Sequence, residues 1–283
     1  MWQHICSPIK QKLPVIYFVL AILVIVLVFS YKFAWWKPAV DWKRPRVLMY
    51  HMVREHIDGA KFNKLRVTPA EFEKQVAWMK IQGFHFVTMQ ELQQNWGKHP
   101  EKTVAITFDD GYLDNLENAY PILEKYQAKA TIYVVVDRHD RDWSTYKKAH
   151  HNSGELAREP KLNDEQVQFL ANSGLVEIGS HTLTHANLDK LNDVQCLLEL
   201  TESKQQLEQL IQQPVTSFAY PFGIYSARDV ELAKQAGYHN AVTTIEGIDG
   251  TQPDFMQLQR IKISGKDSFF AVKLRLKLGK REG

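Results

Sequence analysis

From Arg46 onward the sequence alternates short apolar runs with longer amphipathic ones, and that rhythm limits the chain to a few architectures. Residues 47–50, 84–87, 104–108, 130–136, 176–179, 217–220, 241–244 and 258–263 read as strands, several of them apolar enough to be buried on both faces. Between them, residues 69–81, 113–126, 164–172, 193–212 and 227–235 read as helices. The first opens with Thr68 as a cap and Pro69 in its first turn, and sets Phe72, Val76 and Met79 on one side. Strands joined by helices form a parallel α/β sheet, and without a glycine-rich nucleotide fingerprint a barrel is expected rather than an open dinucleotide-binding sheet. No internal repeat is visible, and residues 137–162, rich in charge and carrying His139, His150 and His151, read as a long surface loop on the active rim.

The run at 104–108 ends abruptly in Asp109, Asp110 and Gly111. The two acids therefore fall at the C-terminal end of a strand, the rim on which α/β folds carry ligands and catalytic groups. Asp-Asp-Gly is also ordinary turn chemistry, so the pair gains weight only from a second cluster, Gly179-Ser-His-Thr-Leu-Thr-His185. His181 and His185 are four apart and can point the same way; with one carboxylate they make a two-histidine, one-carboxylate site with open positions, as in hydrolytic zinc enzymes and non-haem iron proteins. One acid can bind the metal while the other acts as base on its water.

Upstream of the barrel, residues 13–31 carry no charge and match the roughly 20 apolar residues a helix needs to cross a bilayer. The run is longer than the apolar core of a cleavable signal peptide and no small-x-small site follows it, so it reads as a membrane anchor, with Phe33, Trp35 and Trp36 as an interfacial belt. The expected division is a cytoplasmic segment 1–12, a transmembrane helix 13–31, a tether 32–45 and a catalytic domain 46–283. Lys10 and Lys12 precede the span, while Lys32, Lys37, Lys43, Arg44 and Arg46 follow it, a charge count that by itself would place the domain in the cytoplasm. The net charge of +3 is spread rather than massed, which gives no reason to expect nucleic acid. Cys6 and Cys196 would lie on opposite sides of the membrane, so no disulfide is expected.

Thr107-Phe-Asp-Asp-Gly111, Ser180-His-Thr-Leu-Thr-His185 and Ala219-Tyr-Pro-Phe-Gly223, in this order, resemble the first three signature motifs of the polysaccharide deacetylases, carbohydrate esterase family 4 with the NodB-homology domain. The resemblance spans about residues 46–263. It implies a distorted (β/α) barrel of about seven strands that removes acetyl groups from sugar polymers with a divalent metal, Zn²⁺ first, with Co²⁺ or Ni²⁺ as alternatives. Carried over by position, Asp109 is the general base and Asp110, His181 and His185 are the metal ligands. Tyr220, Pro221 and Phe222 form a groove wall, with a backbone N–H there assisting the oxyanion.

Two positions depart from the wider family. Ala219 stands where an arginine usually orients the base, and Leu258-Gln-Arg-Ile-Lys-Ile263 lacks the usual C-terminal histidine. Together with Val47-Leu-Met-Tyr-His51, these departures resemble the poly-N-acetylglucosamine deacetylases, whose barrel is circularly permuted and whose N-terminal Tyr-His element replaces the missing motif. His51 follows a buried strand and should share the rim of Asp109, where it would protonate the leaving amine. Tyr112, Trp143, Tyr220 and Phe222 are candidates to stack on pyranose faces. The expected substrate is an N-acetylated polysaccharide and the expected location the plasma or inner membrane, with the domain in the periplasm or outside. Two alternatives are a glycan-binding relative that has lost turnover and another single-metal hydrolase on the same barrel.

Overall fold

All eight apolar runs form strands. A computed structural model describes residues 7–141, 143 and 154–280. In chain order the strands are β1 (Arg46–Tyr50), β2 (Met52–Val53), β3 (Arg66–Val67), β4 (His85–Val87), β5 (Thr103–Phe108), β6 (Ala130–Val134), β7 (Val176–Ser180), β8 (Ser217–Ala219), β9 (Asn240–Glu246) and β10 (Leu258–Lys262). Strands β5 to β10 pair in parallel in sequence order, and β1 closes the ring between β10 and β5, with Leu48 level with both Ile261 and Ile106. The result is a seven-stranded parallel barrel. One edge of β5 is taken by β1 over residues 104–108; the other is divided, β4 pairing with residues 103–105 and β6 with residues 106–108. Strand β4 is thus an eighth strand wedged at the foot of the barrel, and β2 and β3 form a small ribbon of their own.

Strand alternation sorts the side chains into two environments. Leu48, Tyr50, Val104, Ile106, Phe108, Ile132, Val134, Ile178, Phe218 and Ile261 point outward into the main core under the helices. Val47, Ala105, Tyr133, Ala219, Val242 and Leu258 point inward and make a separate cluster inside the barrel. That interior is narrow. A Cβ on Gly179 would lie 2.5 Å from the Tyr133 ring, so glycine is what lets the tyrosine fill the lumen.

Among the described residues, the helices of six residues or more are α1 (Ser7–Phe33), α2 (Pro69–Ile81), α3 (Met89–Gln94), α4 (Tyr120–Tyr126), α5 (Asp164–Ala171), α6 (Asp193–Ile211), α7 (Ala227–Gln235) and α8 (Phe269–Leu278). Thr68 accepts from Glu71 N at the start of α2, and Thr88, Asn163, Asn192 and Ser226 form capping boxes at α3, α5, α6 and α7. Two helices escape periodicity: α3 is too short to show it, and α8 mixes lysines and leucines on every side. The expected helix at 113–126 is broken in two, a π-turn at Asn115–Ala119 leading into α4. Pro121 lies in the first turn of α4 and has no N–H to give to the ladder, which fits the change of winding there.

Helix α3 plugs the foot of the barrel with Met89 and Leu92, both buried in the inner cluster. The stretch read as a tether crosses the same foot and is bonded to it. Arg46 donates to the carbonyls of Val40, Asp41, Arg44 and Leu276, stacks 4.1 Å over Trp42, and Val40 N donates to Lys277 O. Trp42 packs edge-on against Phe84 and its carbonyl accepts from Lys102 N. Residues Pro14–Tyr31 of α1 have a mean hydropathy of 2.7 and are not buried against the barrel, which makes them long and apolar enough to cross a membrane. Of the loop histidines, His139 is described; His150, His151 and Cys6 lie outside the described residues.

Candidate active site

Inward parity carried one residue past each strand builds the site. Ala105 and Thr107 point inward, so Asp109 does too; Val47 and Met49 lead to His51; Glu177 and Gly179 lead to His181; and Leu258 leads to Arg260 within β10. Four polar side chains from four strands thereby reach the upper end of one lumen.

Asp109 is buried and held by both ends of its carboxylate: Arg260 Nη1 donates to Oδ1 at 2.6 Å and Nη2 to Oδ2 at 2.8 Å. The guanidinium is fixed in turn by Nε to Thr243 O at 2.8 Å and by Nη1 to Thr107 Oγ1 at 3.1 Å. Burial pushes the Asp109 pKa up, but Arg260 outweighs it, and His181 and His51 add to the pull, so the group stays below the usual aspartate value. An arginine does hold the expected base, then, and it comes from the segment set aside for lacking a histidine. Sequence reasoning missed Arg260 because a single cation in a strand resembles surface; its inward parity with Leu258 was the available signal.

Asp110, His181 and His185 converge beside this pair, with ligand atoms all within 4.8 Å of one another and all three residues buried. Asp110 Oδ1 lies 3.4 Å from His181 Nε2 and 3.2 Å from His185 Nε2. Ala219 O can only accept, so its 2.7 Å contact places a hydrogen on His181 Nδ1 and leaves Nε2 free as a ligand. Two imidazole nitrogens and one carboxylate oxygen are the donor set of a borderline divalent ion, and the residues present fit one. Burial alone would depress His181, yet the charges of Asp110 and Asp109 raise it above the ordinary value, a measure of the negative field in which a cation would sit. His185 is pushed down to about 4, chiefly by burial.

The backbone here is strained. Asp110, Thr182, His185 and Phe222 have φ of +78°, +68°, +58° and +60°, in the left-handed region that ordinary side chains avoid, and Gly111 follows at +68°. Such strain is tolerated where it aims functional groups. His185 is enclosed, with Trp143 stacked at 4.9 Å and Phe222 edge-on at 4.4 Å.

His51 is partly buried at the same rim, near enough to contribute to the lowering of both Asp109 and Asp110. The aromatic expectations need correction. Tyr220 has outward parity and lies in the main core, stacked 4.4 Å from Tyr225, and Tyr112 is wholly buried. Neither presents a face to a pyranose. Burial first, and then the neighbouring Asp110, push the Tyr112 hydroxyl well above its ordinary pKa. Trp143 is buried over His185 and Pro221 is buried in the turn; Phe222 alone of these keeps partial exposure. His239 precedes β9 and is exposed at the foot, away from Asp109.

A closed barrel whose lumen delivers an arginine-held carboxylate against a buried His-His-Asp set has the parts that metal-dependent hydrolases use to activate water. The polysaccharide deacetylase family model matches residues 97–241, and the chain belongs to that family. YxkH of Bacillus subtilis (strain 168), whose name assigns it to the same family, is 34% identical over 82% of this chain and 75% of its own. The poly-β-1,6-N-acetyl-D-glucosamine N-deacetylase of Staphylococcus aureus (strain MRSA252) is 27% identical over 67% of this chain and 68% of its own. Among solved structures, a Bacillus cereus polysaccharide deacetylase superposes with TM-score 0.70 at 28% identity, covering 83% of this chain and 69% of that one. The Streptococcus pyogenes deacetylase PplD, solved with acetate, superposes with TM-score 0.68 at 26% identity, covering 86% and 99%.

Proposed function

We propose that the protein is a membrane-anchored, metal-dependent deacetylase that hydrolyses N-acetyl groups of an amino-sugar polysaccharide of the cell envelope, a poly-N-acetylglucosamine-like glycan in the first instance. The observation that carries this reading is the pairing of two differently held carboxylates on adjacent residues: Asp109 gripped by Arg260, and Asp110 facing two imidazoles. A glycan-binding protein has no use for the first of them.

Asp110, His181 and His185 would hold the ion, Zn²⁺ by donor chemistry, with Co²⁺ or Ni²⁺ as substitutes. When bound, it acidifies water and polarises the acetyl carbonyl. Asp109, kept ionised and aimed by Arg260, accepts a proton from the attacking water. A backbone N–H of the 220–222 turn stabilises the oxyanion, with Pro221 and Phe222 shaping that wall. His51 donates a proton to the amine nitrogen as the C–N bond breaks, which frees acetate and a glucosamine unit. We assign residues 1–12 to the cytoplasm, 13–31 to the membrane, 32–45 to the connection and 46–283 to an exported catalytic domain, because such glycans lie outside the cytoplasm.

The test is acetate release from β-1,6-linked N-acetylglucosamine oligomers and from chitooligosaccharides, with metal analysis of the same preparation. About one ion per chain and turnover abolished by a chelator are expected. Turnover that persists after complete metal removal, or metal without acetate release from either polymer, would sink the reading.

A further inference from the structure

One continuous stretch carries more of the site than its two acids. Beyond Gly111 the chain runs through Asp114, Asn115 and Asn118, and all three side chains turn back onto the segment that bears His51. Asn115 Nδ2 donates to His51 O at 2.9 Å, and Asn118 Nδ2 donates to Val53 O at 2.7 Å. Asp114 Oδ1 accepts from Val53 N at 2.9 Å and from Asn115 Nδ2 at 3.1 Å. A fourth bond ties the same two stretches just below, from Asp109 N to Tyr50 O at 3.1 Å. Asn115 is fully buried and Asp114 nearly so, so these bonds are shielded from water.

Both asparagines sit on the π-turn Asn115–Ala119, and their side chains reach the carbonyls of His51 and Val53, spaced two residues apart along a neighbouring strand-like segment. Residues 51–53 have few other ladder partners to set their position: β1 ends at Tyr50, and Met52–Val53 pairs with only the two residues of β3.

We infer that Asp114, Asn115 and Asn118 form a clamp that positions His51 against Asp109 and Asp110, so that base, metal carboxylate and proton donor are fixed to one another through residues 109–118. The clamp residues touch no reacting atom; they act through the His51 backbone. This rests on the reading of His51 as proton donor in a deacetylase.

Epistasis separates a positioning role from a general structural one. The full-length, metal-loaded protein and its Asn115→Ala, His51→Gln and double variants are compared in acetate release from a β-1,6-linked N-acetylglucosamine pentamer. Asn115→Ala should lower kcat about 10- to 100-fold with KM within about twofold and metal content unchanged. In the His51→Gln background the same substitution should cost less than about threefold. Asn118→Ala, whose side chain is only partly buried, should show the same pattern more weakly and serves where Asn115→Ala does not fold. Equal losses in both backgrounds, or no loss of kcat in either asparagine variant, overturn the clamp. A His51→Gln protein as active as the parent would instead overturn the role of His51, and a parent without turnover the deacetylase reading itself.

Discussion

At the scale of single residues, the site divides labour between neighbours that differ in little but their partners. Asp109 and Asp110 are both buried carboxylates, yet one faces a guanidinium and the other two imidazoles. Replacing Asp110, His181 or His185 by alanine should empty the metal site, whereas Asp109→Asn should keep the ion and lose turnover; metal content of the four purified variants decides it. Arg260→Gln sets the sign of a pH effect. In the parent, Asp109 sits below its unfolded pKa of about 3.9, so its contribution is present above that pH and lost as pH falls through the folded value. Without Arg260 only burial remains as the main influence, the pKa rises, and a buried unpaired carboxylate costs about 3–5 kcal/mol once ionised. The stability gap between parent and Arg260→Gln, measured by urea unfolding in chelator, should therefore widen from pH 4 to pH 7. A gap that stays flat across that range would show that the ion pair does not govern Asp109. The motif residues were legible in the sequence because strand-end acids and a spaced histidine pair leave a local mark. Arg260 was not, since its partner lies 151 positions away.

At the scale of elements, the alternation of strand faces was the most informative signal and the least fully used. The eight strands could be placed because buried parallel strands are apolar on consecutive positions, but that same apolarity hides which face is which. Tyr220, which the motif resemblance assigns to a groove wall, lies on the outward face, and Ala219, its neighbour, is the inward residue. The π-turn was illegible because its asparagines look like helix-surface polar residues until residues 51–53 are beside them. Parity also singles out Gly179, whose missing side chain is occupied by Tyr133. Gly179→Ala should cost about 1–3 kcal/mol through overpacking of the lumen. Because the inserted methyl presses on a ring whose charge environment includes Arg260 and Asp109, kcat should fall as well while metal is retained. Chemical denaturation alongside metal and rate measurements checks this, and an alanine variant of parental stability would mean that the lumen is looser than the geometry says.

At the scale of the whole molecule, the foot and the rim of the barrel have opposite duties. The chain enters at the foot, where Arg46 and Trp42 lash residues 40–46 to α8 and to the start of the barrel, and the chemistry sits at the other end of the strands. If α1 spans the membrane as proposed, detergent and not high salt or alkali should release the protein. A C-terminal alkaline phosphatase fusion should be active and a cytoplasm-only fluorescent reporter dark, against the charge count; the reverse pair of results would put the domain inside. The lashed foot then has a consequence for reach. A domain on a loose string could sweep a hemisphere of glycan at any height, but one seated on its own stalk is a tool mounted at a set height. Strands of five or six residues raise the cutting edge by only about 15–20 Å above the foot. If the anchoring proposed above holds, the site would meet only glycan lying within that distance of the membrane.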